Sequence, residues 1–564
     1  MMLRRMSGWL RIGAAAASGL LVAALFPPYS ISPLAWVAML PLLWALRDLS
    51  GKRVWLKGFG LGFIAGAVSC LIQFNWLTTV SWLGAIVLPL YLAIYWGCFG
   101  AFAATWGRMR PGKCLQIAFG QAALWAGLEW LRGWMFTGFS WNPLGVAFNE
   151  AHLISQAADL LGVGGLSLML VLVQAVLLEI GCAIFRTKSW LRTEFRVVVL
   201  GVAALLGYGK WRISHEAYAP SLMLKALLVQ VGVPQEAAQQ LWTDLEVHQA
   251  YEDETLAALE KLKSADGGLS RDWPDWVIWP ETALTGRILR TDDGEWATSQ
   301  TNIDTLEQVN RAGPFTLIFG ANELEPEKTE HGLQPKIGAR AYNSMAVSAP
   351  DDSLTTYRKR HLVIFGETIP FVDSIPLLKK IYEQQSGMEF GGSFTPGESL
   401  EPLPIHVGNA LVSAIPTICF EDSVARLTRK FVRAEPQVIV NVTNDGWFKS
   451  SPAAAQHFAN ARFRAIELRR PMLRCANTGV SAAIDSTGST AHPQTGKPQI
   501  LTDSAGSHFT RGSLLVDVKV PLQPSFSLYA MIGDWGLIGL ALGSLTLAFF
   551  ESRKARKLAD TPIG

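Results

Sequence analysis

Apolar positions are spread unevenly along this chain. Up to about residue 211 they form long, almost unbroken stretches at 12–28, 31–46, 58–79, 81–106, 115–131, 157–185 and 195–211, and one more follows at 528–550. About 20 residues at 1.5 Å each cross a 30 Å hydrocarbon core, so each stretch predicts a membrane-spanning helix; the shortest, 31–46, needs its flanks to do so. The expected architecture is a polytopic α-helical membrane domain of about eight spans.

Between these stretches and the last one, the pattern changes to that of a soluble domain. Runs such as "LMLKALLVQVGVP", "FTLIFGANE" and "QVIVNVTND" read as strands, whereas "WTDLEVHQAYEDETLAALEKLK", "IDTLEQVNRA" and "PAAAQHFANARFRAIELRRP" read as amphipathic helices. "SVARLTRKFVR" places Val424, Leu427 and Phe431 on one helical face, and "MLRCANTGVSAAIDSTG" predicts a hairpin. Apolar strands alternating with helices imply sheets covered by helices. The predicted division is a transmembrane domain at 1–211, an extramembrane domain at 212–527, a final transmembrane helix at 528–550 and a tail at 551–564.

Charge orients the spans. Basic residues gather at alternate span ends: Arg4, Arg5 and Arg11; Arg47, Lys52, Arg53 and Lys57; Arg108, Arg110 and Lys113; Arg186, Lys188, Arg192 and Arg196; and Arg553, Lys554, Arg556 and Lys557. The other loops are almost bare, Arg132 being the main exception. By the positive-inside rule both termini lie in the cytoplasm and residues 212–527 on the opposite face. "IGAAAASGLLVAALF" reads as a retained first span rather than a cleaved signal. The net charge of +3 shows no basic face interleaved with exposed aromatics, which argues against nucleic acid as a partner. "EWLRGWMFTGFSWNPLG", Glu129 to Gly145, reads either as an aromatic belt with a loop or as a lipid headgroup contact.

Of six cysteines, only Cys419 and Cys475 fall in the extramembrane domain. A disulfide between them, an inert buried thiol and a reactive thiolate are all open readings, and no CxxC or His-rich cluster suggests a metal. In "SAIPTICFED" an apolar run ends at Cys419 and a helical pattern begins at once. That predicts a tight strand-to-helix turn whose free N–H groups lower the thiol pKa and hold an oxyanion. Two more polar residues mark strand ends, Glu281 in "WVIWPE" and Lys359 in "TYRKRHL". A carboxylate, an ammonium and a thiol together suit acyl transfer through a thioester. His361 and His457 are weaker candidates for the base.

These segments resemble the nitrilase superfamily, which implies an α-β-β-α sandwich and a Glu–Lys–Cys catalytic set. The chain as a whole resembles the bacterial apolipoprotein N-acyltransferase family, through "WPET" at Glu281, "YRKRHLVIFGETIPF" around Lys359 and Glu367, "PTICFED" at Cys419, "NDGWF" at 444–448, "ELRRPMLRCANTGVSAAID", "EWLRGWMFTGFSWNPLG" and "YAMIGDW". The resemblance implies that Glu281 is the general base, Lys359 stabilises the oxyanion and Cys419 is the nucleophile. Glu367, Phe420, Glu421, Trp447 and Phe448 would support the site or bind substrate. It further implies an acyl group taken from a phospholipid, typically phosphatidylethanolamine, and passed to the diacylglyceryl-cysteine of apolipoproteins at the periplasmic face of the inner membrane. No cofactor or metal is implied, and a monomer is expected. Segments 371–399 and 443–450 are the candidate lids. The sequence departs from the family pattern at Phe420, at Gly232, at Trp242 and at Lys449. A membrane-tethered amidohydrolase is the first alternative, and a noncatalytic lipid-binding, lipoprotein-binding or transport protein the second.

Overall fold

The structure, a computed structural model, describes residues 7–109, 113–187, 191–236, 239–264, 266, 268–350, 353–364, 366–369, 377, 379–380, 383 and 392–559. The chain divides into two compact units, one of residues 1–215 with 527–564 and one of residues 216–526. Of the 371–399 lid candidate, residues 371–376, 378, 381–382 and 384–391, including Gly387 and Gly391, lie outside the described residues.

The first unit is helical. Five of its helices are long and apolar enough to cross a membrane: Val54–Gln73, Gly84–Trp106, Ala158–Phe185, Arg192–Ala217 and Trp535–Arg553. Gly8–Ala23 and Ser32–Leu46 are shorter apolar helical segments, and Cys114–Arg132 forms a further helix. Five such helices, rather than the expected eight spans, meet the length and composition of a crossing. The expected span at 31–46 departs most, being a short 3₁₀ turn, Ser32–Trp36, followed by a seven-residue helix, Leu40–Leu46. Pro33 and Pro41 each sit in the first turn of their segment, where a missing N–H is tolerated, and Pro41 cannot continue the turn before it. The freed backbone groups find side chains instead. Buried Gln174 accepts from Met39 N at 2.6 Å and donates to the Ala35 carbonyl at 3.0 Å, while Leu42 N donates to Ser18 Oγ at 2.8 Å.

Glycines let two of these helices meet backbone to backbone. A Cβ on Gly62 would lie 2.1 Å from the Trp96 carbonyl oxygen, and one on Gly58 2.4 Å from that of Gly100. Ion pairs pin others: Arg47 to Glu179 at 2.7 Å, and Arg212 to Asp159 at 3.0 Å with the Tyr208 hydroxyl donating to the same carboxylate. In the aromatic segment after Glu129, one carboxylate oxygen accepts from Trp125 Nε1 and Leu144 N, and Arg132 donates to the Trp141 carbonyl. The segment is thus folded back onto its own helix, leaving Trp134 and Phe136 exposed.

The second unit holds two main sheets. Its strands are β1 (Ser221–Gln230), β2 (Trp276–Ile278), β3 (Leu284–Arg290), β4 (Thr316–Leu324), β5 (Ala341–Ser348), β6 (Leu354–Arg358), β7 (Leu403–Val407), β8 (Ala410–Ile418), β9 (Gln437–Thr443), β10 (Met472–Ala476), β11 (Ala482–Ile484) and β12 (Gly512–Pro521). One sheet runs β6-β5-β4-β2-β1-β12, with β3 added beside β4 and a short Trp296–Ala297 strand beside β3; the other runs β7-β8-β9-β10-β11. Each is parallel at its centre (β1-β2-β4 and β8-β9-β10) and antiparallel at its edges. Central strands covered on both faces explain the near-continuous apolar runs in the sequence. The sheets face one another: the buried Cys475 thiol on β10 donates to the carbonyls of Val229 and Ile278 on the other sheet.

Helices cover the outsides. Asp244–Lys261 begins at a Thr243–Glu246 capping box and packs Val247, Tyr251 and Leu259 against Val277, Trp279 and Phe319. Ala453–Leu468 is buried along nearly its whole length, which its alanine-rich sequence permits. The hairpin predicted after Met472 is present as β10 and β11. The helix predicted from Ser423 is not; the chain forms one turn of helix, Ala425–Thr428, and a 3₁₀ turn, Arg429–Phe431.

Candidate active site

Three strand ends converge within the second unit. β2 stops at Ile278 and the chain turns through Trp279, Pro280 and Glu281, with Thr282 at φ +58°. Gly320 on β4 makes that turn possible: a Cβ there would lie 2.5 Å from Glu281 Cα, and its N–H donates to the Pro280 carbonyl at 3.1 Å. Lys359 directly follows β6 and is 1% exposed. Cys419 directly follows β8 and adopts φ +51°, a left-handed conformation that costs a non-glycine residue strain. Asn441 on β9 donates to the Cys419 carbonyl at 3.2 Å and helps to hold the turn.

The Lys359 ammonium is 2.9 Å from both oxygens of Glu367 and 3.6 Å from Glu281 Oε1. Asn343 on β5 joins the acids, its amide donating to Glu281 Oε1 at 2.8 Å and to Glu367 Oε1 at 2.7 Å. Val363 N donates to Glu367 Oε2 at 2.9 Å. Among the described residues no hydrogen bond reaches buried Glu281 Oε2, and the Cys419 thiol interacts with the Glu281 carboxylate. The structure therefore brings Glu281, Lys359, Cys419 and Glu367 into one charged cluster.

Glu421 has a separate place. Its carboxylate, fully buried, accepts from the Tyr357 hydroxyl at 3.0 Å, from Arg360 N at 2.8 Å, from His361 N at 2.9 Å and from Ile418 N at 2.9 Å. It ties the chain after Lys359 to the turn that carries Cys419. Phe420 stacks on His361, with ring centroids 5.8 Å apart. Trp447 and Phe448 are half-buried on a 3₁₀ turn, Asp445–Phe448. Exposed Lys449 follows at φ +51°, and Gly232 has the positive φ of +72° that favours glycine.

The electrostatics assign protons. Burial pushes the Cys419 thiol well above its ordinary value; Glu281 adds to this, and Lys359 only partly opposes it. The lowered pKa expected from a following helix is absent because the half-buried thiol is desolvated beside carboxylates and sits on only a five-residue 3₁₀ turn. Burial also raises Glu281, against the pull of Lys359. For Lys359 burial favours the neutral amine, but Glu367 and Glu281 more than offset it and keep the side chain charged. Burial, with Arg426 and Lys359, pushes His361 down to about 3, so it is neutral. A neutral thiol beside a basic carboxylate and a fixed ammonium suits deprotonation at the moment of attack, with Glu281 as acceptor.

Cys419 and Cys475 are both free, so the disulfide reading fails. Among the described residues no group of three or more His, Cys, Asp or Glu side chains is placed to hold a metal. Asn343 and Tyr357 were not singled out from the sequence. An asparagine within the apolar strand "AYNSMAV" was the available signal for the first; Tyr357 carried none.

The family model described as "Apolipoprotein N-acyltransferase N-terminal domain" matches residues 18–176, and "Carbon-nitrogen hydrolase" matches residues 248–502. Apolipoprotein N-acyltransferase of Geobacter metallireducens is 30% identical over 84% of this chain and 84% of its own. The protein of that name from Brucella melitensis biotype 1 is 29% identical over 86% of this chain and 87% of its own. That from Photobacterium profundum is 27% identical over 98% and 97%. With both halves matched and the resemblance running through nearly the full length, the chain belongs to the apolipoprotein N-acyltransferase family.

Proposed function

We propose that this protein transfers an acyl chain from a phospholipid to an apolipoprotein through a thioester on Cys419. The observation that supports the reading is the Glu281 carboxylate beside a neutral, half-buried thiol, with Lys359 held charged between two acids. Glu281 takes the thiol proton as sulfur attacks the sn-1 ester carbonyl of the donor, phosphatidylethanolamine. Lys359 stabilises the negative charge on that oxygen. The carbon–oxygen bond breaks, Glu281 returns the proton to the departing alkoxide, and a lysophospholipid leaves. The α-amine of a diacylglyceryl-cysteine then attacks the thioester, Glu281 accepts its proton, and the thiolate departs as the amide forms and takes that proton from Glu281, restoring the starting thiol and carboxylate. The two half-reactions share one site, so the kinetics are ping-pong. Glu367 keeps Lys359 in place, and Phe420, Trp447 and Phe448 contact the acyl chain.

The reading extends to topology. Eight segments cross the inner membrane: the five long helices with Gly8–Ala23, Ser32–Leu46 and Cys114–Arg132. The alternation of basic loops supports cytoplasmic termini and a periplasmic catalytic domain. On this topology the domains run 1–211, 212–527, 528–550 and 551–564.

The test uses the purified protein in detergent with a phospholipid labelled in its sn-1 chain. A hydroxylamine-labile adduct forms on Cys419, and adding a diacylated lipopeptide moves the label into an amide. Cys419→Ser abolishes both steps, whereas Cys475→Ser leaves them largely intact. Free fatty acid as the sole product would mark a hydrolase and sink the transfer reading.

A further inference from the structure

Two acids beside the site take no part in this chemistry. Asp422 lies on the turn that begins at Cys419, and Asp445 opens the turn that carries Trp447 and Phe448; both are fully buried. The imidazole of His457, on the Ala453–Leu468 helix, lies between them. Nε2 is 2.8 Å from Asp422 Oδ1, and Nδ1 is 2.8 Å from Asp445 Oδ1. Arg474 on β10 closes the ring, donating from Nε to Asp422 Oδ2 at 3.4 Å and from Nη2 to Asp445 Oδ2 at 3.2 Å. Its Nη1 donates to the Val480 carbonyl at 2.6 Å.

A neutral imidazole cannot serve both acids. Either tautomer would turn a ring lone pair toward a carboxylate oxygen at 2.8 Å, whereas the doubly protonated ring donates to both. Arg474 Nη2 has two hydrogens, one directed to Asp445 Oδ2 at 3.2 Å and one toward Nδ1 at 2.9 Å; the shorter Nδ1–Asp445 Oδ1 contact, 2.8 Å, is the one that a ring lone pair would oppose. Two carboxylates, an imidazolium and a guanidinium sum to zero, the balance that lets ions tolerate burial. His457 is accordingly pushed up to about 9: burial favours the neutral ring, Asp422 and Asp445 more than offset it, and Arg474 opposes them. Other charges on the elements packed here are engaged elsewhere. Glu421 holds Tyr357, Arg360 and His361; Arg464 pairs with Glu467 at 2.6 Å; Arg462 donates to the Gly488 carbonyl. The cluster reaches the sulfur's own turn through Asp422, three residues after Cys419, and Asp445 adds to the rise of the Cys419 thiol that burial and Glu281 lead.

We propose that Asp422, His457, Asp445 and Arg474 form a charge-balanced clamp that ties the Cys419 turn to the Trp447 turn and sets the electrostatic field at the sulfur. They are positioning residues, and the proposal takes from the acyl-transfer reading only that Cys419 is the reacting thiol.

Alkylation of Cys419 by iodoacetamide, followed by peptide mass spectrometry on the full chain in detergent, tests this without either lipid substrate. Below the thiol pKa the rate follows the thiolate fraction, so one pKa unit is about a tenfold change. His457→Gln leaves the clamp with one net negative charge and slows alkylation about tenfold. Adding Asp445→Asn restores neutrality and returns the rate to within about threefold of the unmodified protein. A purely structural histidine predicts the reverse, with the double variant at least as impaired as the single. An unchanged rate in His457→Gln, or no recovery in the double variant, would overturn the proposal. Asp445→Asn alone, nearly isosteric, leaves one net positive charge and speeds alkylation; an unchanged or slower rate overturns it even where His457→Gln does not fold. If lipid transfer fails while these shifts appear, the clamp stands and the acyl-transfer reading falls.

Discussion

Replacing Glu421 by Gln tests whether the two chain segments at the site are locked together by one carboxylate. That carboxylate accepts from Arg360 N, His361 N and Tyr357 on one oxygen, and from Ile418 N and Tyr357 on the other. All its partners are donors, so it binds them as an anion even though burial raises its pKa. Glutamine can keep the Arg360 and His361 bonds with its oxygen. Its NH₂ then faces Ile418 N–H, donor against donor, one residue before Cys419. A lost charge-assisted hydrogen bond and a stranded buried donor together cost about 3 kcal/mol. In a domain of this size that lowers the melting temperature by roughly 6 °C. It also frees the Cys419 turn, and a displacement on the order of 1 Å costs about a hundredfold in rate. Tryptophan fluorescence during thermal unfolding measures the first effect, and single-turnover labelling of Cys419 by an sn-1-labelled phospholipid measures the second. Unchanged melting with a lost rate would mean that Glu421 acts on substrate rather than on the turn, and the locking argument would be refuted. Unchanged values for both would refute it equally.

Other expectations follow from the same geometry. Lys359→Met keeps the length of the side chain but leaves Glu281 and Glu367 facing each other without a cation; thioester labelling falls by about a hundredfold to a thousandfold, on the scale of a lost oxyanion-stabilising group. Gly320→Ala forces a Cβ to within 2.5 Å of Glu281 Cα, so both melting temperature and single-turnover rate drop, whereas an intact rate would show that the turn tolerates displacement. Glu281 must be ionised to accept a proton, and its pKa is raised by burial, so thioester formation fails as the pH falls through that raised value. The acid limb therefore lies above the ordinary carboxylate range, and a limb at or below that range would contradict the assignment. His457 gives the opposite sign for folding: its contribution is complete below pH 6.5 and lost as the pH rises toward about 9, which melting curves across that range detect.

The strands that position Glu281 and Cys419 were legible because parallel central strands leave continuous apolar runs and these two residues stand where such runs stop, whereas Lys359 follows an antiparallel edge strand, LTTYR, that leaves no such run. The turn at Cys419 was legible as a turn, but its electrostatics were not. A following helix was expected to lower the thiol pKa, and burial beside Glu281 raises it instead. Asn343 and Tyr357 act through residues distant in sequence, on other strands or turns, which no local pattern displays. His457 read as a mid-helix residue because its partners, Asp422, Asp445 and Arg474, come from three other elements. Segment 31–46 reads as one continuous run because its composition is apolar throughout, and only its two prolines signal that it is divided into two short helical pieces.

Glu281 and Lys359 extend from strands of one sheet and Cys419 from a strand of the other. Neither half owns a working centre. A chain that has folded only one layer carries an idle cysteine or an idle acid–amine pair, and reactivity switches on when the layers mate. Thiol labelling thus reports whether the two layers have come together.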